Sequence, residues 1–241
     1  MTGAPEIALS VSHREGTSRP VLLLHGLASR ARLDWPAAEW DPVLADRPVL
    51  RVDLPAHGDS AAPGVLATAG IVDLLARAVS DVVPGEEVDV VGYSLGARLA
   101  WALAGHPGVA VRRVALGGLS PMEPFALVDL PAARAALAGG PSPEDPITGM
   151  ILSMTTLPGN RPEALLDLIE GLASGPFDPA AGAPSQPVLL LGGVEDPMAQ
   201  GIDALAAAVP DSRVVRVPGD HLAALHAPEF RAAVADFLAE D

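Results

Sequence analysis

Cysteine is absent from the 241-residue sequence, and basic and aromatic residues are scarce. The missing cysteine excludes disulfide bonds, thiolate metal sites and a cysteine nucleophile. Fifteen basic residues against thirty acidic ones give a formal net charge of −15, which repels nucleic acid and anionic membrane surfaces. Aromatic residues make up 3%, so little surface is available for stacking a base or a sugar. These scarcities predict no binding to nucleic acid and disfavour carbohydrate and nucleotide ligands.

Long apolar segments are also missing. No run approaches the roughly eighteen uninterrupted apolar residues that a membrane-spanning helix needs, and residues 1–30 lack the pattern of a signal peptide. We therefore expect a soluble, cytoplasmic protein with no membrane partner. A hydrophobic content of 49% over this length is sufficient for one large α/β domain spanning residues 1–241.

Short apolar runs rich in valine and leucine recur along the chain. They are nearly continuous rather than alternating, which is typical of buried parallel strands. The predicted strands are Val21–Leu24, Val49–Val52, Val88–Val91, Val111–Leu116, Val188–Leu191 and Val214–Val217, and the weaker alternation in Ile7–His13 predicts an extra edge strand. Helical spacing separates them in Ile71–Val83, Leu95–Gly105, Ile202–Val209 and Leu222–Leu238. Strands that alternate with helices predict an α/β fold, in which a mostly parallel sheet carries helices on both faces.

The stretch from about Ser120 to Gln186 departs from this alternation. It is rich in proline, glycine and alanine and contains no convincing strand, although helices are predicted at Leu130–Leu137 and Pro162–Ala173. Loops of this length inside a compact domain are usually functional, so we expect a small helical lid at about residues 120–186. Its candidate substrate-binding residues are Met122, Phe125, Met150, Ile151 and Met154. If the segment only supports the catalytic loops, the pocket is expected near Leu27, Trp35 and Met198.

The strongest local motif is Gly92-Tyr93-Ser94-Leu95-Gly96, which lies between a predicted strand and a predicted helix. A G-x-S-x-G sequence in this context is typical of a nucleophile elbow, where a tight turn exposes the serine hydroxyl at the end of the sheet. The small residues Gly92 and Gly96 permit the turn. The helix that begins at Leu95 directs backbone N–H groups towards charge that develops on a substrate oxygen.

An upstream loop is predicted to supply a second backbone N–H group that binds the same substrate oxygen. Together the two donors would form an oxyanion hole. The sequence Leu24-His25-Gly26-Leu27 follows another predicted strand, and the backbone N–H of Leu27 is the best candidate to act with that of Leu95. We interpret His25 as a structural residue that holds this loop, because the chain offers a better catalytic base elsewhere.

That base is His221, in the loop between the last predicted strand and the last predicted helix. His226 is a competitor one helical turn later, where an exposed or packing role is more common. The acid is Asp196, whose short side chain before a proline suits a fixed turn, although Glu195 and Glu123 stay open as alternatives. The order of nucleophile, acid and base along the chain is the one expected of this arrangement.

With these pieces, the sequence resembles the α/β-hydrolase superfamily over nearly its whole length. The motifs that carry the resemblance are Leu24-His25-Gly26, the segment Asp53 to Ser60, Gly92 to Gly96, Gly193 to Asp196, Asp220-His221 and Pro228-Glu229. Two residues depart from the family's pattern: Ala56 and Asp220 stand where glycine is usual. Both concern loop geometry rather than triad side chains. The resemblance also implies that Asp53 and His57 belong to a structural turn near the site.

The function expected from this site is hydrolysis of carboxylic esters of small apolar substrates. A serine nucleophile needs neither a metal nor an organic cofactor, and none is predicted. Because fold and triad do not choose a substrate, lactonase, thioesterase, carbon–carbon hydrolase and perhydrolase activities stay open. A ligand receptor that keeps the triad and turns substrate over slowly is the alternative from a different functional class.

Overall fold

A computed structural model describes residues 8–240 and contains one seven-stranded sheet. Its strands are β1 (Val11–Arg14), β2 (Val21–Leu24), β3 (Val49–Val52), β4 (Glu87–Tyr93), β5 (Ala110–Gly117), β6 (Val188–Gly193) and β7 (Ser212–Val217). They lie in the order β1-β3-β2-β4-β5-β6-β7. Strand β1 pairs antiparallel with β3, and every other neighbouring pair is parallel.

The predicted strands are confirmed, with small differences at their ends. The edge strand β1 begins at Val11 and ends at Arg14, and Ile7 lies outside the described residues. Strands β2, β3 and β6 are buried along their whole length, as expected when helices cover both faces of a parallel sheet. The outermost strand β7 is only partly buried.

Alternate strand residues enter two separate apolar cores, which shows that helices cover both faces. Leu22 and Leu24 belong to the core that contains Ile71, whereas Val21 and Leu23 belong to the core that contains Trp40. Side chains of successive strand residues point to opposite faces, so both layers are built from the same strands.

The helices are α1 (Ala31–Asp34), α2 (Ala37–Trp40), α3 (Thr68–Val82), α4 (Leu95–Leu103), α5 (Leu130–Leu137), α6 (Pro146–Thr155), α7 (Pro162–Ala173), α8 (Ile202–Ala208), α9 (Ala223–His226) and α10 (Pro228–Ala239). The single helix predicted over Leu222–Leu238 is wrong, since α9 and α10 are separate. Ala227 has an extended backbone (φ −64°, ψ 137°), because proline disfavours the helical conformation of the residue before it.

Residues 120–186, here called the insertion, connect β5 to β6 through helices α5, α6 and α7 and a short 3-10 turn at Phe125–Leu127. Helix α6 has no counterpart in the sequence prediction. Asp129 and Asp145 cap α5 and α6 by accepting hydrogen bonds from backbone N–H groups, the usual role of aspartate at this position. Apolar residues of α7 are buried in the core that also contains α3 and α4. Within residues 8–240, no helix is long and apolar enough to cross a bilayer.

Candidate active site

Ser94 lies at a sharp turn between β4 and α4. Its backbone φ is +52°, a left-handed conformation that is rare and strained for a residue other than glycine. A Cβ atom on Gly92 would lie 2.4 Å from the carbonyl oxygen of Gly96, and one on Gly96 would lie 2.1 Å from that of Leu24. Both glycines are therefore required by close backbone approach, and the turn has the geometry predicted for a nucleophile elbow.

Two backbone N–H groups near Ser94 have no hydrogen-bond acceptor within the described part of the chain. They belong to Leu95, at the start of α4, and to Leu27, in the loop after β2. That loop passes beside the nucleophile, because a Cβ atom built on Gly26 would lie 3.6 Å from the Ser94 Cβ. Unpaired donors of this kind can stabilise negative charge on a substrate oxygen.

His221 and Asp196 form a hydrogen-bonded pair at the carboxyl end of the sheet. The His221 Nδ1 lies 2.8 Å from Asp196 Oδ2, and the aspartate side chain is fully buried. Its other oxygen, Oδ1, accepts a hydrogen bond of 2.8 Å from the Met198 N–H. An ionised carboxylate can only accept hydrogen bonds, so Nδ1 of the histidine carries the proton and Nε2 is free to act as a base.

The histidine loop is held in place from three directions. The Tyr93 hydroxyl donates a hydrogen bond of 2.5 Å to the His221 carbonyl oxygen. Gly118, whose φ is +60°, lies against the ring: a Cβ atom there would be 3.0 Å from His221 Cε1. Asp220 accepts hydrogen bonds from the N–H groups of Leu222 and Ala223, which lower the pKa of its carboxyl group.

The competing residues named from the sequence occupy other environments. His226 is exposed at the end of α9, and Glu195 is exposed beside Asp196. Glu123 is buried, but its carboxylate is paired with the Arg98 guanidinium at 2.6 Å. Of the candidate acids, only Asp196 is hydrogen-bonded to His221 within residues 8–240.

His25 and His57 are buried neighbours whose rings are hydrogen-bonded to backbone atoms of two loops. The His25 Nε2 accepts a hydrogen bond from the Leu54 N–H, and the His57 Nε2 accepts one from the Ala28 N–H. Their Nδ1 atoms lie 2.7 Å and 2.9 Å from the carbonyl oxygens of Gly26 and Pro55. Burial lowers the pKa of His25 to about 4 and that of His57 to about 3. Both rings are therefore neutral and act as connectors between the loops after β2 and β3.

The two departures from the family's pattern have a structural explanation. Ala56 has a φ of +66°, so the fold keeps the left-handed turn at this position although it is strained for alanine. Before Asp220, the left-handed position is taken by Gly219, with a φ of +105°. The usual glycine is thus replaced by an aspartate that caps the following turn.

A small cavity of about 30 Å³ opens beside Ser94. Of the residues predicted to bind substrate, Met122 and Phe125 line it, and so does the fallback candidate Met198. The lining does not include Met150, Ile151 or Met154. Ile151 is buried in the core, Met154 packs against that core, and Met150 is 48% exposed. The cavity beside Ser94 is thus not lined by α6, the helix of the insertion that carries Met150, Ile151 and Met154.

The structure also brings residues to the site that the sequence analysis did not select. Arg98 and Phe177 line the cavity, and buried Asp34 accepts a hydrogen bond of 2.8 Å from the Gly26 N–H. Burial raises the pKa of the Asp34 carboxyl group. An arginine one helical turn after Ser94 in an otherwise apolar helix is a signal of a buried ion pair. Phe177 and Asp34 carry no comparable signal.

Within residues 8–240, no group of three or more His, Asp or Glu side chains is arranged to hold a metal ion. The chemistry offered by the site is that of a serine hydroxyl, a histidine–aspartate pair and two backbone donors. This arrangement can transfer a proton and stabilise an oxyanion. The individual catalytic roles stay predictions.

Comparisons with known proteins identify relatives of the whole chain. A family model described as the alpha/beta hydrolase family matches residues 21–236, whereas no curated protein matches. A thermophilic esterase from Thermogutta terrifontis is 27% identical, with a TM-score of 0.76 over 98% of this chain and 95% of that one. A hydrolase from Pseudomonas aeruginosa PA01 is 22% identical, with a TM-score of 0.74 over 98% and 100%.

An enol-lactonase from Burkholderia xenovorans LB400 is 22% identical, with a TM-score of 0.73 over 96% of this chain and 97% of that one. These likenesses confirm the predicted fold, since each TM-score is at least 0.73 over at least 96% of this chain. The family model spans the elbow, the loop after β2 and the loops that carry Asp196 and His221. The chain therefore belongs to the α/β-hydrolase family.

Proposed function

We propose that this hydrolase cleaves carboxylic esters with short acyl groups through an acyl-enzyme on Ser94. The observation that carries the proposal is the 2.8 Å hydrogen bond between His221 and buried Asp196, at the same sheet edge as a serine with a φ of +52°. The likeness to an esterase at 27% identity supports the same reaction class.

In the proposed reaction, His221 Nε2 takes the proton from Ser94 Oγ, which attacks the ester carbonyl carbon. The N–H groups of Leu27 and Leu95 stabilise the resulting oxyanion. When the tetrahedral intermediate collapses, the bond to the alkoxide leaving group breaks, and the imidazolium returns the proton to form the alcohol. A water molecule then attacks the acyl-enzyme by the same steps and releases the carboxylic acid.

The size of the cavity beside Ser94 supports a short acyl group. A cavity needs roughly 10–15 Å³ to hold one water molecule, so the 30 Å³ beside the nucleophile accepts only a group of a few heavy atoms. Its walls include Leu119, Met122 and Phe125, which favour an apolar group. We expect acetate and propionate esters to be better substrates than esters of long acids.

Substitution of the nucleophile tests the proposal. Ser94→Ala should abolish covalent labelling by a fluorophosphonate and reduce the turnover of p-nitrophenyl acetate by roughly 10⁶-fold. The matched control is Ser120→Ala, since Ser120 lines the same cavity and should not carry the label. Labelling that persists in Ser94→Ala and disappears in Ser120→Ala would contradict the assignment.

Two further measurements define the activity class. A panel of p-nitrophenyl esters, lactones and thioesters at equal concentrations identifies the preferred bond. Counting product molecules per chain separates an enzyme from a ligand receptor with the same site, because a receptor completes at most one slow event. We expect repeated turnover with short esters.

A further inference from the structure

A second, larger space lies behind the cavity at Ser94. This distal groove has a volume of about 490 Å³ and is formed by α3, α4 and the loop after α7. It is lined mainly by apolar groups, among them Val72, Trp101, Ala102 and Pro176. The 30 Å³ cavity and the distal groove share two lining residues, Arg98 and Phe177. These two residues therefore lie between the two spaces and are called the partition here.

The Arg98 half of the partition is fixed. Its guanidinium pairs with Glu123 at 2.6 Å, and the two side chains are only 4% and 5% exposed. The remaining donors bind Thr68 Oγ1 at 3.0 Å and the carbonyl oxygens of Leu172 and Gly175 at 3.1 and 3.0 Å. Each of the three guanidinium nitrogens thus has an acceptor, and a buried charge held in this way cannot move aside without a large cost.

The Phe177 half is held differently. Its backbone N–H donates a hydrogen bond of 3.0 Å to Glu123 Oε2, so the position of the main chain does not depend on the ring. The ring packs edge-to-face against Trp101, with 5.5 Å between the centroids, and the residue is only partly buried. Loss of the ring would therefore open the partition without removing a hydrogen bond.

We propose that Phe177 is a specificity-determining residue that closes the acyl pocket and keeps the alkyl chains of longer acyl groups out of the distal groove. The proposal rests on the proposed ester hydrolysis at Ser94. Removal of the ring joins the small cavity to the groove, whose apolar walls suit an alkyl chain. Each methylene that leaves water is worth about fourfold in binding, so a chain that enters the groove gains affinity with length.

The test is the kcat/KM of wild type and Phe177→Ala for p-nitrophenyl acetate, butyrate, hexanoate and octanoate. We expect the ratio of octanoate to acetate to rise roughly tenfold or more in Phe177→Ala, which corresponds to two buried methylenes. Ala69 lines the groove at the exposed start of α3. Ala69→Phe, added to Phe177→Ala, should fill the groove and reverse the gain.

Leu127→Ala is the matched control, because Leu127 is an exposed apolar residue of the insertion that lines neither space. Its chain-length profile should follow that of wild type. A profile of Phe177→Ala parallel to wild type, in a folded protein that a fluorophosphonate still labels, overturns the partition and leaves the proposed function intact. Absence of both labelling and turnover in wild type overturns both.

If Phe177→Ala does not fold, Phe177→Leu provides a smaller opening with the same expected direction. A folded Phe177→Leu should then favour hexanoate over acetate more than wild type does. An unchanged ratio in that variant overturns the proposal.

Discussion

Two regions surround Ser94, and they differ in how much apolar packing contributes to holding them. The loops at the carboxyl ends of the strands are connected by hydrogen bonds between side chains and backbone groups, such as those of His25, His57 and Asp34. The insertion buries many apolar side chains in the core, and Arg98 of α4 joins it through a buried ion pair with Glu123 and hydrogen bonds to the carbonyl oxygens of Leu172 and Gly175. The first region positions the residues proposed to react, and the second shapes the space beside them.

This difference leads us to expect that the proposed chemistry and the proposed selectivity depend on largely separate sets of contacts. Hydrogen bonds to backbone atoms fix positions with high precision, which the transfer of a proton requires. Apolar packing tolerates changes of shape more readily. Substitutions in the strand-end loops should therefore affect the rate of every reaction, whereas substitutions in the insertion should affect stability and chain-length preference.

The largest effect of a substitution in the strand-end loops is expected at the proposed base. His221→Ala should reduce kcat/KM for p-nitrophenyl acetate by about 10⁴- to 10⁶-fold, as severely as the loss of the nucleophile, because the triad acts as a unit. His226→Ala is the matched control and should retain most of the activity, since His226 is exposed at the end of α9. Steady-state kinetics of both variants measures these losses of kcat/KM. A larger loss in His226→Ala than in His221→Ala would assign the base to His226.

An intermediate effect is expected when the anchor of the insertion is removed. Glu123→Ala leaves the buried Arg98 guanidinium without its partner, so the free energy of unfolding should fall by about 3–5 kcal/mol. The comparison variant Glu163→Ala removes an exposed residue, 69% accessible, that lies 3.6 Å from Arg134, and should cost less than about 1 kcal/mol. Urea unfolding measures both. Equal losses in the two variants would show that the buried pair does not hold the insertion.

The smallest effect concerns the neutral histidines of the strand-end loops. Burial lowers the pKa of His57 to about 3 in the folded protein, while in the unfolded chain it is near 6.5. The unfolded state therefore binds more protons as the pH falls, and stability decreases below pH 6.5. Between pH 7 and pH 5, His57 should account for about 2 kcal/mol of this loss.

Substitution of the ring tests this linkage. His57→Gln cannot take up a proton in the unfolded state, so its destabilisation relative to wild type should be about 2 kcal/mol smaller at pH 5 than at pH 7. Urea unfolding at both pH values supplies the comparison. A destabilisation that is the same at both would mean that His57 does not contribute to the pH dependence of folding.

Much of the sheet and of the strand-end region could be predicted because its signals are local. Strands such as Val49–Val52 follow from continuous apolar runs, and the turn at Ser94 follows from glycines two residues to either side. The split of the last helix was predictable in principle from Pro228, but the periodicity continued across it. The selection of Asp196 over Glu195 agrees with the observed hydrogen bond to His221, although its catalytic role is still a prediction.

The sequence by itself determined which strands and motifs follow one another along the chain. It therefore also determined which polar side chains lie together, because the carboxyl ends of parallel strands meet at one edge of the sheet. Only the tertiary structure decided the shape of the pocket. Phe177 meets Glu123 across 54 residues of chain, and Arg98 meets Gly175 across 77. Contacts between such distant residues depend on how helices pack, and no local pattern of residue types encodes that packing.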